Sequence, residues 1–574
     1  MGTIKPRPRY RRNRVRIALV LTVPFAVLML LVSPRGDFPL NDDWVYAKMV
    51  EALTERGHLG FSPLSNAFAI TQTLYAAPLV KLFGFSFSLL RLTTIFMAWV
   101  TVVAVALTAR ELGLSTRSAL LAAMTVFVNP LFINLSYTFM TDIPFCAFAS
   151  VSTYYFVKAM RVPATRYLLL GTAFSILAFY NRQFGALIPL AFVVAATANW
   201  SISRAHFTLR NVAAFTLPWI AVSAFSFYLR VPPSQHLLVN APPPIEFESY
   251  LIRSGVGTMA SAFFIGIGLA PLGWSILAKS FKLQTRAMLD DVFPVLSTSL
   301  VAALMATRWL LLQVYDGVFP MLRLIEDTGV GVAAFRFMGA SWALPSTMAF
   351  AMPTVMLIAL CFVFCVPALT VLSILIHSRG KAPRIRRSQQ MFLLLTSAGL
   401  LFAPAVASPG SFLDRYYVAA APTLALLAVG MLAFRPKRLQ LHVGVVVVSI
   451  LFTVSVIALQ DYMAWNHARW QAIDLLREKY GAHDFEINAG YEFNGMYTSD
   501  EFLRRSREEK EELSPKPLWV IGEKFAVSPA SGRDKLPQYE VIDQVRYFSW
   551  LGFTTRYMFV LVETASADDV KASP

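Results

Sequence analysis

Cysteine is scarce: there are three in 574 residues, Cys146, Cys361 and Cys365, and all fall within apolar segments. Neither a disulfide framework nor a zinc site is indicated. Charge is short as well, with Asp, Glu, Lys and Arg making up 15% of the chain against 56% hydrophobic residues and a mean hydropathy of +0.55. A soluble chain of this size has no interior large enough to hide so much apolar surface, which leaves the bilayer as its main solvent. Also missing are short stretches alternating in and out, the mark of a membrane barrel. The apolar segments are continuous runs such as Val443 to Leu459, so the fold class expected is an α-helical integral membrane protein.

The formal net charge is +17, but the basic residues stand in short clusters between apolar runs. Placed there they act as topology signals, and a nucleic-acid partner is set aside. Lys5, Arg7, Arg9, Arg11, Arg12, Arg14 and Arg16 precede the apolar run from Ile17 to Val32. That run is long for a signal peptide, and no small-x-small cleavage site follows it before Pro34. It is read as an uncleaved first helix with its basic end, residues 1–16, in the cytoplasm.

Hydropathy places spans near 17–33, 89–109, 118–135, 143–159, 167–180, 184–199, 211–228, 256–278, 292–307, 346–376, 390–406, 416–434 and 441–459. About thirteen crossings leave the tail on the opposite face from the N-terminus. The transmembrane module is thus 17–459, with a long first extracytoplasmic loop at 34–88 and an extracytoplasmic domain at 460–574. Clusters such as Arg110 and Arg117, Lys158, Arg161 and Arg166, and Arg435 to Arg438 fall in the expected inner loops, in accord with the positive-inside rule. In the tail, Trp465 to Tyr480 has a helical pattern. Leu518 to Ile521, Tyr539 to Ile542 and Tyr557 to Val562 look strand-like, which makes a small mixed α/β domain.

Carboxylates near a membrane face are either well solvated or held there for a task. Asp42 and Asp43 follow the first span closely, and adjacent residues project differently, so at most one is expected to point into a site. Helix capping before Val45 to Glu55 explains the pair equally well. Asp142 precedes Pro144 at the outer start of the fourth span, where capping again competes with a site role. Arg182, between two short spans, and Arg415, in Asp414-Arg415-Tyr416-Tyr417, suit a phosphate with their planar forks or snorkel to headgroups. Together these are outward carboxylates able to act as a base and arginines able to hold an anion.

In order, these motifs resemble the GT-C fold glycosyltransferases that use polyprenyl-phosphate sugars, especially the branch with protein O-mannosyltransferases and lipid A aminoarabinose transferases. Asp42-Asp43-Trp44-Val45-Tyr46-Ala47 looks like the acidic pair and Tyr-Ala of the first outer loop. Leu74-Tyr75-Ala76-Ala77-Pro78, Leu82-Phe83-Gly84 and Arg91-Leu92 resemble the aromatic, proline-containing continuation. Thr141-Asp142-Ile143-Pro144, Arg182, and Arg415-Tyr416 with Pro422 resemble the later elements. The likeness is denser over the first 200 or so residues and thinner beyond.

The resemblance implies a GT-C-like bundle that takes a sugar from a polyprenyl-phosphate donor to a lipid, glycan or protein acceptor with inversion. Asp42 would then be the catalytic base, with Asp43 and Asp142 supporting it and Arg182 and Arg415 on the leaving phosphate. Tyr46, Lys81 and Arg91 are further substrate-binding candidates. Relatives place a Lys-Pro in the first loop where this chain has Ala69-Ile70-Thr71-Gln72-Thr73, so either donor binding uses Arg182, Lys81 or Arg91 instead, or the donor differs. No cofactor is expected, and a lone Asp pair is weak evidence for a metal. The competing expectation is a transporter or flippase for a lipid-linked or anionic substrate. It would favour internal repeats and ionisable residues inside spans, and neither is evident.

Overall fold

The computed structural model describes residues 8–60, 64–65, 67–162, 164–198, 208–228, 387–407, 414–431, 438–508, 519–529, 538–550 and 553–567, with short stretches between 269 and 343. The spans expected at 292–307 and 346–376, and nearly all of that at 256–278, lie outside these residues.

The described chain is mostly helical. It begins with α1 (Pro8–Leu31), α2 (Asp43–Arg56), α3 (Ile70–Phe83), α4 (Phe87–Glu111), α5 (Thr116–Phe127), α6 (Pro130–Ser136), α7 (Asp142–Arg161) and α8 (Thr165–Asn181). A 3₁₀ turn, Gln183–Ala186, leads into α9 (Leu187–Thr197), followed by α10 (Leu209–Tyr228) and α11 (Arg387–Ala407). A second 3₁₀ turn, Asp414–Ala419, precedes α12 (Ala421–Met431), and then come α13 (Arg438–Glu478), α14 (Tyr491–Tyr497) and α15 (Ser499–Glu508). Arg14–Leu31, Phe87–Glu111 and Leu439–Glu478 are long and apolar enough to cross a membrane.

Two expectations about the helices need correcting. The span read as continuous over 118–135 is broken, α5 and α6 meeting at 68°. Pro130 has no N–H to continue the ladder, and the Asn129 side chain accepts from Leu131 N to start a new helix instead. The last span and the tail helix, expected as separate elements, are one helix of 41 residues. No proline interrupts α13. At about 1.5 Å per residue it runs roughly 60 Å, twice a hydrocarbon core of about 30 Å, and so projects well past it. It stops at Gly481 (φ +60), where Ala482 N reaches back to Leu476 O at 3.0 Å.

The projecting end of α13 packs against a four-stranded sheet in the order β1-β2-β4-β3. Its strands are β1 (Ile487–Asn488), β2 (Phe525–Ser528), β3 (Tyr539–Ser549) and β4 (Thr554–Glu563). β1 and β2 are parallel and the other pairs antiparallel. Leu518 to Ile521 was expected as a strand, but the described part, 519–521, is irregular. Trp519 has φ +54 there, a left-handed conformation no strand contains.

Small and hydroxylic residues let the helices approach closely. Ala98, Thr101, Val105 and Thr108 on α4 are fully buried. Thr101 and Thr108 return their hydroxyls to Met97 O and Ala104 O, at 3.0 and 2.7 Å, leaving no unsatisfied donor in the contact. At the far end of the bundle Glu111, 5% exposed, pairs with Arg14 at 2.7 Å and Arg161 at 3.2 Å. That cluster ties one set of ends of α1, α4 and α7 together.

Candidate active site

At the other ends of these helices the first loop is folded by Arg91. Its guanidinium, 1% exposed, donates to the carbonyls of Tyr137 (2.7 Å), Pro34 (2.6 Å), Gly36 and Phe38 (both 3.1 Å). Asp43 does similar work: Oδ1 accepts from Phe139 N at 2.7 Å and Oδ2 from Leu40 N at 3.2 Å. Burial pushes the Asp43 carboxyl well above the usual carboxylate range, with Arg91 and the two N–H donors pulling it back. Both residues are committed to holding the loop, so Arg91 has little left to offer an anion.

Asp42 faces the other way. It stands at the start of α2, yet its side chain makes no capping bond, so the helix-cap reading is not realised. Asn41 before it has φ +58, a turn Asn tolerates better than most residues. One Asp42 oxygen, Oδ2, pairs with Arg415 Nη2 at 3.0 Å. The other, Oδ1, accepts the Tyr491 hydroxyl at 2.6 Å.

The second pair is Asp142 with Arg182. Asp142 opens α7 and Arg182 ends α8 in extended conformation, with Gly185 in the 3₁₀ turn behind it. A side chain at Gly185 would strike the backbone of Phe179, its Cβ lying 2.3 Å from the nitrogen. The neighbouring residues fix the approach. Asn181 Nδ2 donates to Thr141 O at 2.7 Å, and Asn181 O accepts from Ala69 N at 3.1 Å. Arg182 Nη1 then binds Asp142 Oδ1.

Tyr416 joins the two pairs. The guanidinium of Arg182 lies 5.0 Å and that of Arg415 5.8 Å from its ring centre, within cation–π range. Tyr46, buried on α2, lies within electrostatic reach of Asp42, Arg182, Arg415 and Asp142; burial first, then the Asp42 charge, push its hydroxyl up to about 12. Among the described residues Asp142 Oδ2, Arg415 Nε and Asn181 Oδ1 are buried without a hydrogen-bond partner. Such groups cost about 1–3 kcal/mol each and call for an explanation.

Five of the expected residues therefore converge: Asp42, Asp142, Arg182, Arg415 and Tyr46. Arg91 and Asp43 sit behind them in the loop, and Lys81 is exposed in the last turn of α3 and takes no part in either ion pair. The Ala69 to Thr73 stretch is bonded into the fold, Gln72 Nε2 to Phe139 O and Thr71 Oγ1 to Leu177 O. Tyr416 was expected only as part of the Arg415 motif, and Tyr491 was not among the expected site residues. A sequence separation of 449 residues between Tyr491 and Asp42 leaves no local pattern that would pair them. Among the described residues no three His, Cys, Asp or Glu side chains group as metal ligands do.

The site contains a carboxylate able to take a proton beside two guanidinium groups able to hold an anion, with two positive and two negative charges in balance.

Residues 73–229 match the family described as dolichyl-phosphate-mannose-protein mannosyltransferase. The resemblance drawn from the motifs thus holds for the segment carrying Arg91, Asp142 and Arg182. The chain is also similar to a crystal structure of ArnT from Cupriavidus metallidurans bound to undecaprenyl phosphate, at 12% identity and a TM-score of 0.39 over 97% of this chain and 98% of that one. A second likeness is to the archaeal oligosaccharyltransferase AglB from Archaeoglobus fulgidus in complex with an inhibitory peptide and a dolichol-phosphate, at 12% identity and a TM-score of 0.41 over 91% and 70%. No curated protein matches the sequence.

Proposed function

We propose that the chain is a membrane glycosyltransferase that moves a sugar from a polyprenyl-phosphate donor to an extracytoplasmic lipid, glycan or protein acceptor. The observation that carries the reading is the meeting of Asp42–Arg415 and Asp142–Arg182 on the one ring of Tyr416. The matched family supplies the reaction class over the segment that holds half of that set.

In this reaction Asp42 takes the proton of the acceptor hydroxyl as its oxygen attacks the anomeric carbon. The bond from that carbon to the phosphate oxygen breaks on the opposite side, so configuration inverts. The leaving phosphate goes from one negative charge to two. Arg182 and Arg415 therefore bind the product-like transition state more tightly than the donor, which is where charge stabilisation accelerates a reaction. The Asp142 and Asp42 carboxylates hold both arginines in place until the phosphate competes for them.

The positive-inside pattern supports a cytoplasmic N-terminus and Arg14–Glu111–Arg161 cluster, with the site and the domain of residues 460–574 outside a plasma or inner membrane. Membranes carrying the wild-type chain should pass label from a radiolabelled polyprenyl-phosphate sugar to endogenous acceptor. Asp42→Asn, isosteric but unable to take the proton, should lower transfer by about 10²–10⁴-fold at unchanged expression. Full activity in that variant would remove Asp42 as the base.

A further inference from the structure

Tyr491 lies in the chain's last hundred residues, yet its hydroxyl is among the closest polar contacts of Asp42. Resting on the reading of Asp42 as the base, we propose that Tyr491 is a positioning residue for it: the hydroxyl delivered by α14 fixes the carboxylate plane, making the C-terminal segment a working part of the site.

The segment is locked to the first loop at several points. Gly490, at φ +92, turns the chain into α14 through a conformation that L side chains rarely adopt. Glu492 Oε1 accepts from Asn41 N at 3.2 Å, so the residue after Tyr491 holds the residue before Asp42. Glu492 Oε2 is held by Arg469 Nη1 at 2.9 Å, and Arg469 Nε donates to Ala489 O at 2.9 Å. The Tyr491 ring packs against Trp44 at 6.1 Å and Trp519 at 5.4 Å. Lys48 on α2 reaches Ser499 Oγ at 3.3 Å and Asp500 Oδ2 at 2.9 Å.

The ring is wedged between two indoles. Trp519, left-handed without being glycine, adds strain beside the contact, and such strain gathers where a geometry is held for use. Among the described residues, the charged and titratable groups around Asp42 are Arg415 and Tyr416 from the turn before α12, Asp43 and Tyr46 from α2, Tyr491 and Glu492 from α14, and the Asp142–Arg182 pair. Arg415 on one oxygen and Tyr491 on the other fix the carboxylate plane here, and once Arg415 turns to the phosphate the Tyr491 hydroxyl is the contact that keeps it fixed.

The test uses the full chain in liposomes. Tyr491→Phe keeps the ring and removes only the oxygen. It should lower kcat by about tenfold with both KM values within about threefold, and move the acidic limb of the pH profile upward, since a carboxylate that loses a donor protonates more readily. Site-specific 3-fluorotyrosine at 491 keeps the fold and makes a stronger donor, so its acidic limb should move downward. Two profiles superimposable on wild type, or a Tyr491→Phe variant faster than wild type, would overturn the positioning role. Asp42→Asn run alongside separates the two claims. If it transfers normally, the base assignment falls. If it is inactive while both Tyr491 variants behave as wild type, only the positioning role falls.

Discussion

Replacing Arg182 by Ala, alone and together with Asp142→Asn, separates what the Asp142–Arg182 pair does for folding from what it does for chemistry. The side chains are 12% and 4% exposed, so the pair is largely out of water. Removing one partner of a buried pair leaves an uncompensated charge and costs about 3–5 kcal/mol. Among the described residues Asp142 already has one oxygen without a partner, so Arg182→Ala should sit toward the upper part of that range. Arg182→Ala/Asp142→Asn removes the orphaned charge along with the cation and should recover roughly half of the loss or more, a coupling typical of residues in direct contact. Melting of the purified proteins in detergent should therefore rank wild type above the double variant and the double variant above Arg182→Ala. Transfer should rank differently. Without Arg182 the leaving phosphate loses one of its two cations, worth about 10²–10³ in kcat, and restoring the fold does not restore that. A double variant that is folded and transfers within about threefold of wild type would refute the role given to Arg182.

Other expectations follow from neighbouring contacts. At Gly495 an added Cβ would lie 2.3 Å from Trp44 Cε2, so Gly495→Ala should cost about 1–3 kcal/mol in melting by overpacking the join between α14 and α2. Arg91→Gln should reduce folded yield while the protein that does fold keeps its donor KM, since the four carbonyls it binds belong to the loop; a selective rise in KM would return Arg91 to the donor site. Lys479 Nζ bonds Asp543 Oδ2 at 2.7 Å, and that hydrogen bond first of all holds the Asp543 carboxyl below its ordinary range. A carboxyl lowered on folding contributes stability above the unfolded value of about 3.9 and loses it as pH falls through the folded one. Acid below about pH 4 should thus loosen β3 from the end of α13, measured by limited proteolysis, and Lys479→Met should flatten that dependence.

Much of the helical architecture was legible because burial in lipid writes long apolar runs with basic ends into the chain. α4 and α7 begin and end within two residues of the expected spans. Hydropathy averages across a break, which is why Asn129-Pro130 was bridged, and it stops at the last apolar residue, which is why α13 was cut at Leu459 although nothing there ends a helix. Asp42, Asp142, Arg182 and Arg415 were legible as candidates because a charge at a membrane face needs a reason. Arg91 joined them only through the family resemblance, and its four carbonyl partners show that its charge is spent on the first loop. Tyr491 was invisible because tyrosine in a glycine-flanked turn is ordinary, and its contact is made by tertiary packing of the chain's two ends. Trp519 lies in an apolar run resembling a strand, but its indole is a wedge beside the site rather than a rung of the sheet.

A structure with a polyprenyl phosphate bound bears most directly on the central claim. The phosphate oxygens should lie about 2.7–3.2 Å from guanidinium nitrogens of both Arg182 and Arg415. Asp42 should stand free of Arg415, still bonded to Tyr491 and open toward the sugar side of the phosphate. A phosphate bound elsewhere, with the Asp42–Arg415 and Asp142–Arg182 pairs intact, would contradict the account.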